Sequence, residues 1–285
     1  MSKDRTLKIS CLNIRVHTKH EPNEYVKFWK TLMKLKIKSI RGNIAIMIGS
    51  FKELTGSNKN YFFGYIYRFI DINPKEPWFD IEKNEEASEE DVALVNIPEK
   101  LKPNLSEIPY IFDYKEHKLY FLTGGTDTGI GTQSISSLFN KIKAHPQIVK
   151  LFGEIDHTIA TDKKALDEML SWPVIKKIYV KLERPNPTEE EDDETFYERL
   201  ERRRLKSEEH IYTKAAGADS IKADEEMKAI FRTAIDNGIY TQEGIDNSGE
   251  NRKASSRDFP MIHIYKYNPD HLMRSEAFIE AVNQI

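Results

Sequence analysis

The sequence contains one cysteine and no long hydrophobic run, and both absences narrow what the protein can be. The single cysteine, Cys11, cannot form an intramolecular disulfide, and its place in a β-type run predicts a buried small hydrophobic side chain rather than a nucleophile. No segment approaches the roughly eighteen apolar residues of a membrane span, and the N-terminus lacks the apolar stretch of a secretory signal. We therefore expect a cytoplasmic protein without a membrane span.

The sequence is also poor in patterns that bind metals or cofactors. Its eight histidines are scattered, with no pair at the HxH or i, i+4 spacing that places two ligands on one ion. His17 and His20 are three residues apart, but they lie near a predicted loop. We therefore expect no metal site and no cofactor.

What the chain does contain is typical of a water-soluble globular protein. Its 285 residues are enough for one large or two modest domains, and a hydrophobic fraction of 39% is enough to build a buried core. The order in which strand-type and helix-type apolar periodicities follow one another along the chain predicts the fold class.

The periodicity of apolar residues predicts an α+β fold with a mainly antiparallel sheet. Residues 1–184 form the predicted first domain, with a basic first helix and an acidic loop at 73–102, and residues 185–285 form a smaller, helix-rich or mixed C-terminal domain. Strands are predicted at residues 7–16, 44–51, 61–72, 92–97, 108–112, 117–122, 155–160, 174–182, 239–241 and 259–267. Helices are predicted at residues 21–35, 134–144, 188–212, 224–236 and 269–284.

Residues 155–187 organise the middle of the chain. A β-type run leads to Thr161, which we predict to be the N-cap of a helix, and Trp172-Pro173 stops that helix because the residue before a proline is pushed out of the helical region. A second strand follows and ends at the prolines of Arg184-Pro185-Asn186-Pro187. The segment therefore predicts a β-α-β unit that leads into a hinge.

The net charge of −3 hides an asymmetry along the chain. Residues 1–72 carry 14 lysines and arginines against 5 acidic residues, whereas residues 73–113 carry 4 against 11. The first block could therefore face a polyanion, which its concentrated positive field would attract.

Much of this positive charge lies on the predicted first helix and just after it, in a stretch that has no acid between Glu24 and Glu53. Lys27, Lys30 and Lys34 recur at three-and-four spacing on the side away from the apolar face. Two interpretations stay open, a solvated helix face and a surface that contacts phosphates. The candidate nucleic-acid-binding residues of this stretch are Lys27, Lys30, Lys34, Lys38 and Arg41.

The segment after the hinge adds a second group of cations. The predicted helix at 188–212 begins with acids and ends with arginines, as the helix dipole favours. Because its apolar stripe is thin, we expect it to pack on a neighbouring domain or on a second copy of the chain, and we predict a homodimer. Arg202, Arg203, Arg252 and Lys253 complete the candidate nucleic-acid-binding residues.

Residues 124–132 form a glycine-rich loop between a predicted strand and a predicted helix. The loop is similar to the P-loop of dethiobiotin-synthetase-type enzymes with the lysine deleted. Without that lysine it lacks the charge that holds the β- and γ-phosphates, and it follows two hairpins rather than the first strand of a parallel sheet. We therefore predict a strand-to-helix loop that binds no nucleotide.

The order of elements and a few short phrases resemble a known family. The basic first helix, the aromatic hairpin, the β-α-β unit and the phrases IRGN at Ile40–Asn43, RPNP and NGIY are similar to an uncharacterised bacterial family found beside phage-defence genes. More distantly, they resemble RexA-like phage-exclusion proteins. The resemblance implies non-enzymatic DNA binders, often dimers, that help to abort phage infection.

Three functions are open at this point. The first is a sequence-nonspecific DNA-binding component of abortive-infection phage defence that acts without its own catalysis. The second is a nuclease or other nucleic-acid hydrolase with carboxylates from Asp156, Asp162 and Asp167, although no PD-(D/E)xK spacing follows a strand. The third is a structural subunit that binds a co-encoded defence protein.

Overall fold

A computed structural model describes residues 3–16, 22–54, 61–73, 76–124, 129–183, 200 and 202–285. Over these residues the protein is α+β with a large antiparallel sheet, which confirms the predicted fold class. The strands are β1 (Arg5–Val16), β2 (Lys38–Arg41), β3 (Ile44–Glu53), β4 (Tyr61–Ile70), β5 (Phe79–Asp80), β6 (Glu85–Glu86), β7 (Ser106–Asp113), β8 (Lys118–Leu122), β9 (Ile155–Ile159), β10 (Val174–Glu183), β11 (Ser207–Thr213), β12 (Gly238–Ile245), β13 (Asn251–Ser255) and β14 (His263–Tyr267). The helices are α1 (Pro22–Leu35), α2 (Glu89–Ala93), α3 (Thr132–Lys143), α4 (Pro146–Phe152), α5 (Lys164–Leu170), α6 (Glu225–Asn237) and α7 (Arg274–Val282).

The large sheet has the strand order β14-β1-β8-β7-β4-β3-β2, with β9 also paired to β1. β1 is long enough to hold two partners on one edge, because β14 pairs with its first half and β9 with its second half. Its other edge pairs with β8. β1 therefore connects β14 and β9 to the rest of the large sheet. Cys11 on β1 is buried, as predicted.

Helices cover this sheet and close its core. Trp29 of α1 packs edge-on against Phe112 of β7, with ring centroids 4.8 Å apart, and also lies near Phe139 of α3. α7 packs against β7 as well, and its Arg274 approaches Tyr65, whose strand position lies on the face opposite Phe112. Both faces of β7 are therefore buried.

The small sheet has the order β11-β10-β12-β13 and a core of its own. α6 packs across β10 and β12 and contacts α5, and its Phe231 lies 5.0 Å from the ring of Tyr240. Inward residues of β10, such as Ile178 and Val180, complete this second core.

The predicted β-α-β unit is wrong in one respect. Its three elements exist as β9, α5 and β10, but β9 belongs to the large sheet and β10 to the small one, so the unit links two sheets instead of building one. Thr161 is not the N-cap. It forms a β-bridge with Pro260, and the Oδ1 atom of Asp162 accepts a hydrogen bond from the Lys164 N–H at 3.0 Å where α5 begins.

Two further predicted elements differ from the structure. The predicted strand at 92–97 is absent from the described residues: the short helix α2, whose N-cap Ser88 accepts a hydrogen bond from the Asp91 N–H, ends at Ala93, and residues 94–97 belong to neither a helix nor a strand. The predicted helix at 188–212 lies mostly outside the described residues, but its last part is strand β11. That part is extended because residues 207–213 alternate along the free edge of β10 and pair with it over seven positions.

The chain passes between the two sheets more than once. β10 precedes the predicted domain boundary at 184/185 yet lies inside the small sheet, whereas β14 and α7 follow it and join the large sheet and its core. The boundary itself stays a prediction. A helix-rich C-terminal domain is not clearly shown, since residues 202–285 contain four strands beside α6 and α7.

Candidate nucleic-acid interface

The basic helix predicted from the sequence is α1. Pro22 occupies its first turn, where a missing N–H costs nothing, and Glu24 lies near the positive end of the helix dipole. Tyr25, Phe28 and Trp29 are fully buried at three-and-four spacing. Helix packing therefore turns the intervening lysines toward solvent.

The three lysines of α1 are all exposed, but they are not equivalent. The Nζ atom of Lys27 lies 3.8 Å from Glu24 and 5.5 Å above the ring of Phe152. Within the described part of the chain, no carboxylate forms an ion pair with Lys30 or Lys34. Lys30 and Lys34 are therefore the cations of α1 that remain available to a partner.

The two candidates on β2 also differ. Lys38 contacts the carboxylate of Asp71, which Lys102 approaches from the other side at 2.6 Å. Hydrogen bonds from Lys102 and Lys38 hold the pKa of Asp71 below its usual value, so the three groups form a charged cluster at the edge of the sheet. Arg41 is exposed, and no ion pair holds it among the described residues.

Arg41 also lines a cavity of about 630 Å³ between β2 and the start of α3. Arg68 of β4 lines the same cavity, and its Nη2 atom donates a hydrogen bond to the hydroxyl of Ser106 at 3.4 Å. Polar side chains of α3, such as Ser134, and several isoleucines also line it, and the described lining residues include no carboxylate. No local sequence pattern indicates that these two arginines share a cavity, because 27 positions separate them and only the sheet brings them together.

The C-terminal candidates lie elsewhere in the fold. Arg202 and Arg203 are exposed in the segment before β11. Arg252 lies 3.7 Å from Asp246, and Lys253 lies 2.9 Å from Glu243 across the β12–β13 pair. The structure therefore divides the nine predicted residues among α1 and β2, the segment before β11, and β13.

The carboxylates proposed for a hydrolase are not brought together. Asp156 lies on β9, Asp162 is exposed before α5, and Asp167 is exposed on α5. Among the residues that the structure describes, no three histidine, cysteine or acidic side chains are grouped as a metal site would require. The geometry therefore gives no support to this carboxylate set.

The glycine-rich loop is described only at its two ends, since residues 125–128 lie outside the described part. Gly124 has a φ of +78°, and Gly131 precedes α3 without a side-chain cap. The prediction that this loop binds no nucleotide stays a prediction.

Comparison with known proteins identifies the family of the chain. A family model described as a domain of unknown function, DUF4747, matches residues 5–283, and no curated protein matches the chain. The described residues include no helix that is both long and apolar enough to cross a membrane. The resemblance to phage-exclusion proteins stays a prediction, because the family's description names no function. Since the match covers nearly the whole sequence, the chain belongs to the DUF4747 family.

Proposed function

We propose that the protein binds DNA without reading its sequence, through a basic face formed by Lys30, Lys34 and Arg41. The observation that supports this is that these three side chains are exposed and have no ion pair among the described residues, whereas four of the other candidates are paired with acids. The proposal therefore narrows the nine candidates to three that carry uncompensated charge, with Arg202 and Arg203 as secondary contacts.

Unpaired surface cations suit the phosphate backbone. Each phosphate contact releases counterions from the duplex, so that the slope of log affinity against log salt steepens by about 0.9 per contact. A lysine is a point charge on a flexible stem and does not distinguish bases by itself. The basic face would therefore supply affinity for DNA without discriminating between base sequences.

Two further parts of the hypothesis concern partners. We propose a homodimer, which would double the number of phosphate contacts, and a role in bacterial phage defence together with a co-encoded defence protein. The resemblance described above supports the defence role. The dimer rests on the segment after Pro187, of which residues 188–199 and 201 lie outside the described part of the chain.

Charge reversal of the basic face tests DNA binding. We expect the variant Lys30→Glu, Lys34→Glu, Arg41→Glu to lose at least about tenfold in affinity for a labelled duplex at low salt and to show a flatter salt dependence, by up to about 0.9 per lost contact. Fluorescence anisotropy with duplexes of unrelated sequence measures both quantities. Because the three side chains are exposed, thermal unfolding should change little.

The matched control reverses three exposed cations that also have no ion pair among the described residues, Lys115, Lys222 and Lys266. The control changes the net charge by the same amount and should lose much less affinity. Equal losses in both variants would show that net charge, not the basic face, binds the duplex. Unchanged affinity in the first variant would reject the proposal.

A further inference from the structure

A second, smaller cavity lies where the large sheet meets the small one. Its volume is about 130 Å³, and it is enclosed by α3, β9, the end of β10 and the turn at Ser256–Asp258. Its lining is almost entirely polar, which is unusual for a crevice between packed elements. The side chains that matter here are Ser136, Asn140, Lys143, Asp156, His157 and Arg257.

Ser136 and His157 form the centre of the cavity. The hydroxyl oxygen of Ser136 and the Nε2 atom of His157 are 2.9 Å apart and share a hydrogen bond. Burial, with the positive charge of Lys143 nearby, lowers the pKa of His157 to about 4, so that the ring is neutral at pH 7. The Nδ1 atom of His157 is buried and has no hydrogen-bond partner among the described residues.

The acidic side chains around Ser136 and His157 lie close to cations that do not line the cavity. Glu183 lies 2.9 Å from Lys181, and Asp156 stands directly opposite Arg15 in the β1–β9 register, where side chains share a face. Glu183 is thus paired with a cation outside the cavity, and Asp156 faces Arg15 across the strand pair while its charge also acts on the His157 ring.

The cavity's own two cations are not paired in this way. Lys143 is half-buried, Arg257 is exposed, and neither forms an ion pair within the described part of the chain. Both lower the pKa of His157, which places their charge close to the ring. The cavity therefore holds two available positive charges beside a neutral hydroxyl and amide.

We propose that this cavity binds a phosphoryl group, either as free phosphate or as the end group of a phosphate monoester. A dianion matches the two cations, and its several oxygens match donors that come from different directions, namely Lys143, Arg257, Ser136 and Asn140. A tetrahedral phosphoryl group is small enough for a cavity of this size. The site uses none of the residues of the basic face, so phosphate binding in the cavity can be tested independently of DNA binding by the basic face.

The ring resonances of His157 provide the test. In the full-length protein with labelled histidine, the His157 signal is assigned by its loss in His157→Gln and followed at pH 7 while inorganic phosphate is added. We expect a saturable shift that acetate at equal concentration does not reproduce. No saturable shift up to tens of millimolar phosphate, or an equal shift with acetate, would overturn the proposal.

Variants identify the binding groups. Lys143→Gln and Arg257→Gln should each weaken phosphate binding about tenfold, since a charged hydrogen bond contributes on this scale. Lys141→Gln is the matched control, because Lys141 is exposed on the same helix and does not line the cavity. Phosphate affinity that survives both cavity variants, or that falls equally in the control, would show that the ion binds elsewhere.

Two further ligands distinguish free phosphate from a phosphate monoester as the source of the phosphoryl group. A 5′-phosphorylated dinucleotide that shifts the His157 signal, when its unphosphorylated form does not, indicates a monoester end. A shift with inorganic phosphate alone indicates the free ion. Either result supports the site, whereas equal shifts with both dinucleotides would reject it, since recognition would then not depend on the phosphoryl group.

Discussion

The two sheets of this protein bury their central strands in different ways. β7 of the large sheet is buried at every position from Ile108 to Asp113, whereas β10 of the small sheet buries alternate residues such as Ile178 and Val180 and leaves Lys177 exposed. A sheet that helices cover on both faces needs apolar residues at successive positions, and a sheet covered on one face needs them only at every second position. The large sheet is therefore a two-sided core, and the small sheet is a one-sided layer with a polar outer face.

The two proposed sites lie outside both cores. The basic face lies on α1 and β2, outside the fully covered core of the large sheet, and the polar cavity lies where β9 and β10 bring the two sheets together. Neither site interrupts either core. Substitutions in the cores and substitutions in the sites should therefore have separable effects, on stability in the first case and on binding in the second.

The largest loss of stability should follow truncation in the two-sided core. Trp29→Ala removes a fully buried ring that packs against Phe112 and Phe139, and we expect the free energy of unfolding to fall by about 3–5 kcal/mol. Phe79→Ala is the control, since that aromatic side chain is 65% exposed. Urea unfolding followed by circular dichroism measures both. A similar midpoint for the two variants would contradict a core centred on Trp29.

Within the one-sided layer, the tightest point is the contact between β12 and β10. A Cβ atom at Gly238 would lie 1.9 Å from the carbonyl oxygen of Lys181, although the extended backbone there suits any residue. We expect Gly238→Ala to cost about 3 kcal/mol, because two paired strands must separate. Urea unfolding gives the value.

Gly249→Ala is the matched control for this effect. Gly249 has a φ of +84° but nothing within 4 Å of the added Cβ, so its variant carries only the cost of a left-handed residue, about 1 kcal/mol. If Gly249→Ala were the more costly change, backbone conformation rather than strand contact would limit the small sheet.

Much of this fold follows from the sequence because its signals are local. The apolar spacing and first-turn proline of α1, the continuous apolar run of β7 and the alternation of β10 each specify an element without reference to the rest of the chain. What no local pattern specifies is the sheet to which a strand belongs. β9 and β10 have ordinary strand patterns, and only tertiary pairing assigns them to different sheets.

The candidate sites show the same limit. The spacing of Lys30 and Lys34 predicts their exposure correctly, since helix geometry alone decides it. The neutralisation of Lys38 by Asp71 could not be predicted, because 33 residues separate them and the sheet edge sets their distance. The contact between Ser136 and His157 likewise joins a helix to a strand and follows no sequence motif.

The smallest expected effect concerns charge, and it contrasts the rim of the large sheet with the outer face of the small one. Asp71 is 10% exposed between Lys38 and Lys102, whereas Glu243 is 45% exposed and forms its ion pair with Lys253. We expect Asp71→Asn to lower the free energy of unfolding at pH 7 by about 1 kcal/mol and Glu243→Gln to lower it by about 0.3 kcal/mol. Urea unfolding at low ionic strength measures the two differences.

The pH dependence of these differences tests their origin. Hydrogen bonds from lysines lower the pKa of both carboxyl groups in the folded protein, from ordinary values of 3.8 for Asp71 and 4.5 for Glu243. A lowered pKa stabilises the fold fully above the ordinary value and ceases to do so as the pH falls through the folded pKa. The stability of each variant should therefore begin to converge with that of the wild type as the pH falls below these ordinary values, and the two should meet below the folded pKa. If the free energy of unfolding of Asp71→Asn stays equally far below the wild-type value down to pH 3, the carboxylate acts through packing or neutral hydrogen bonds. If the two variants lose equal free energy of unfolding at pH 7, burial of Asp71 adds nothing to its ion pairs.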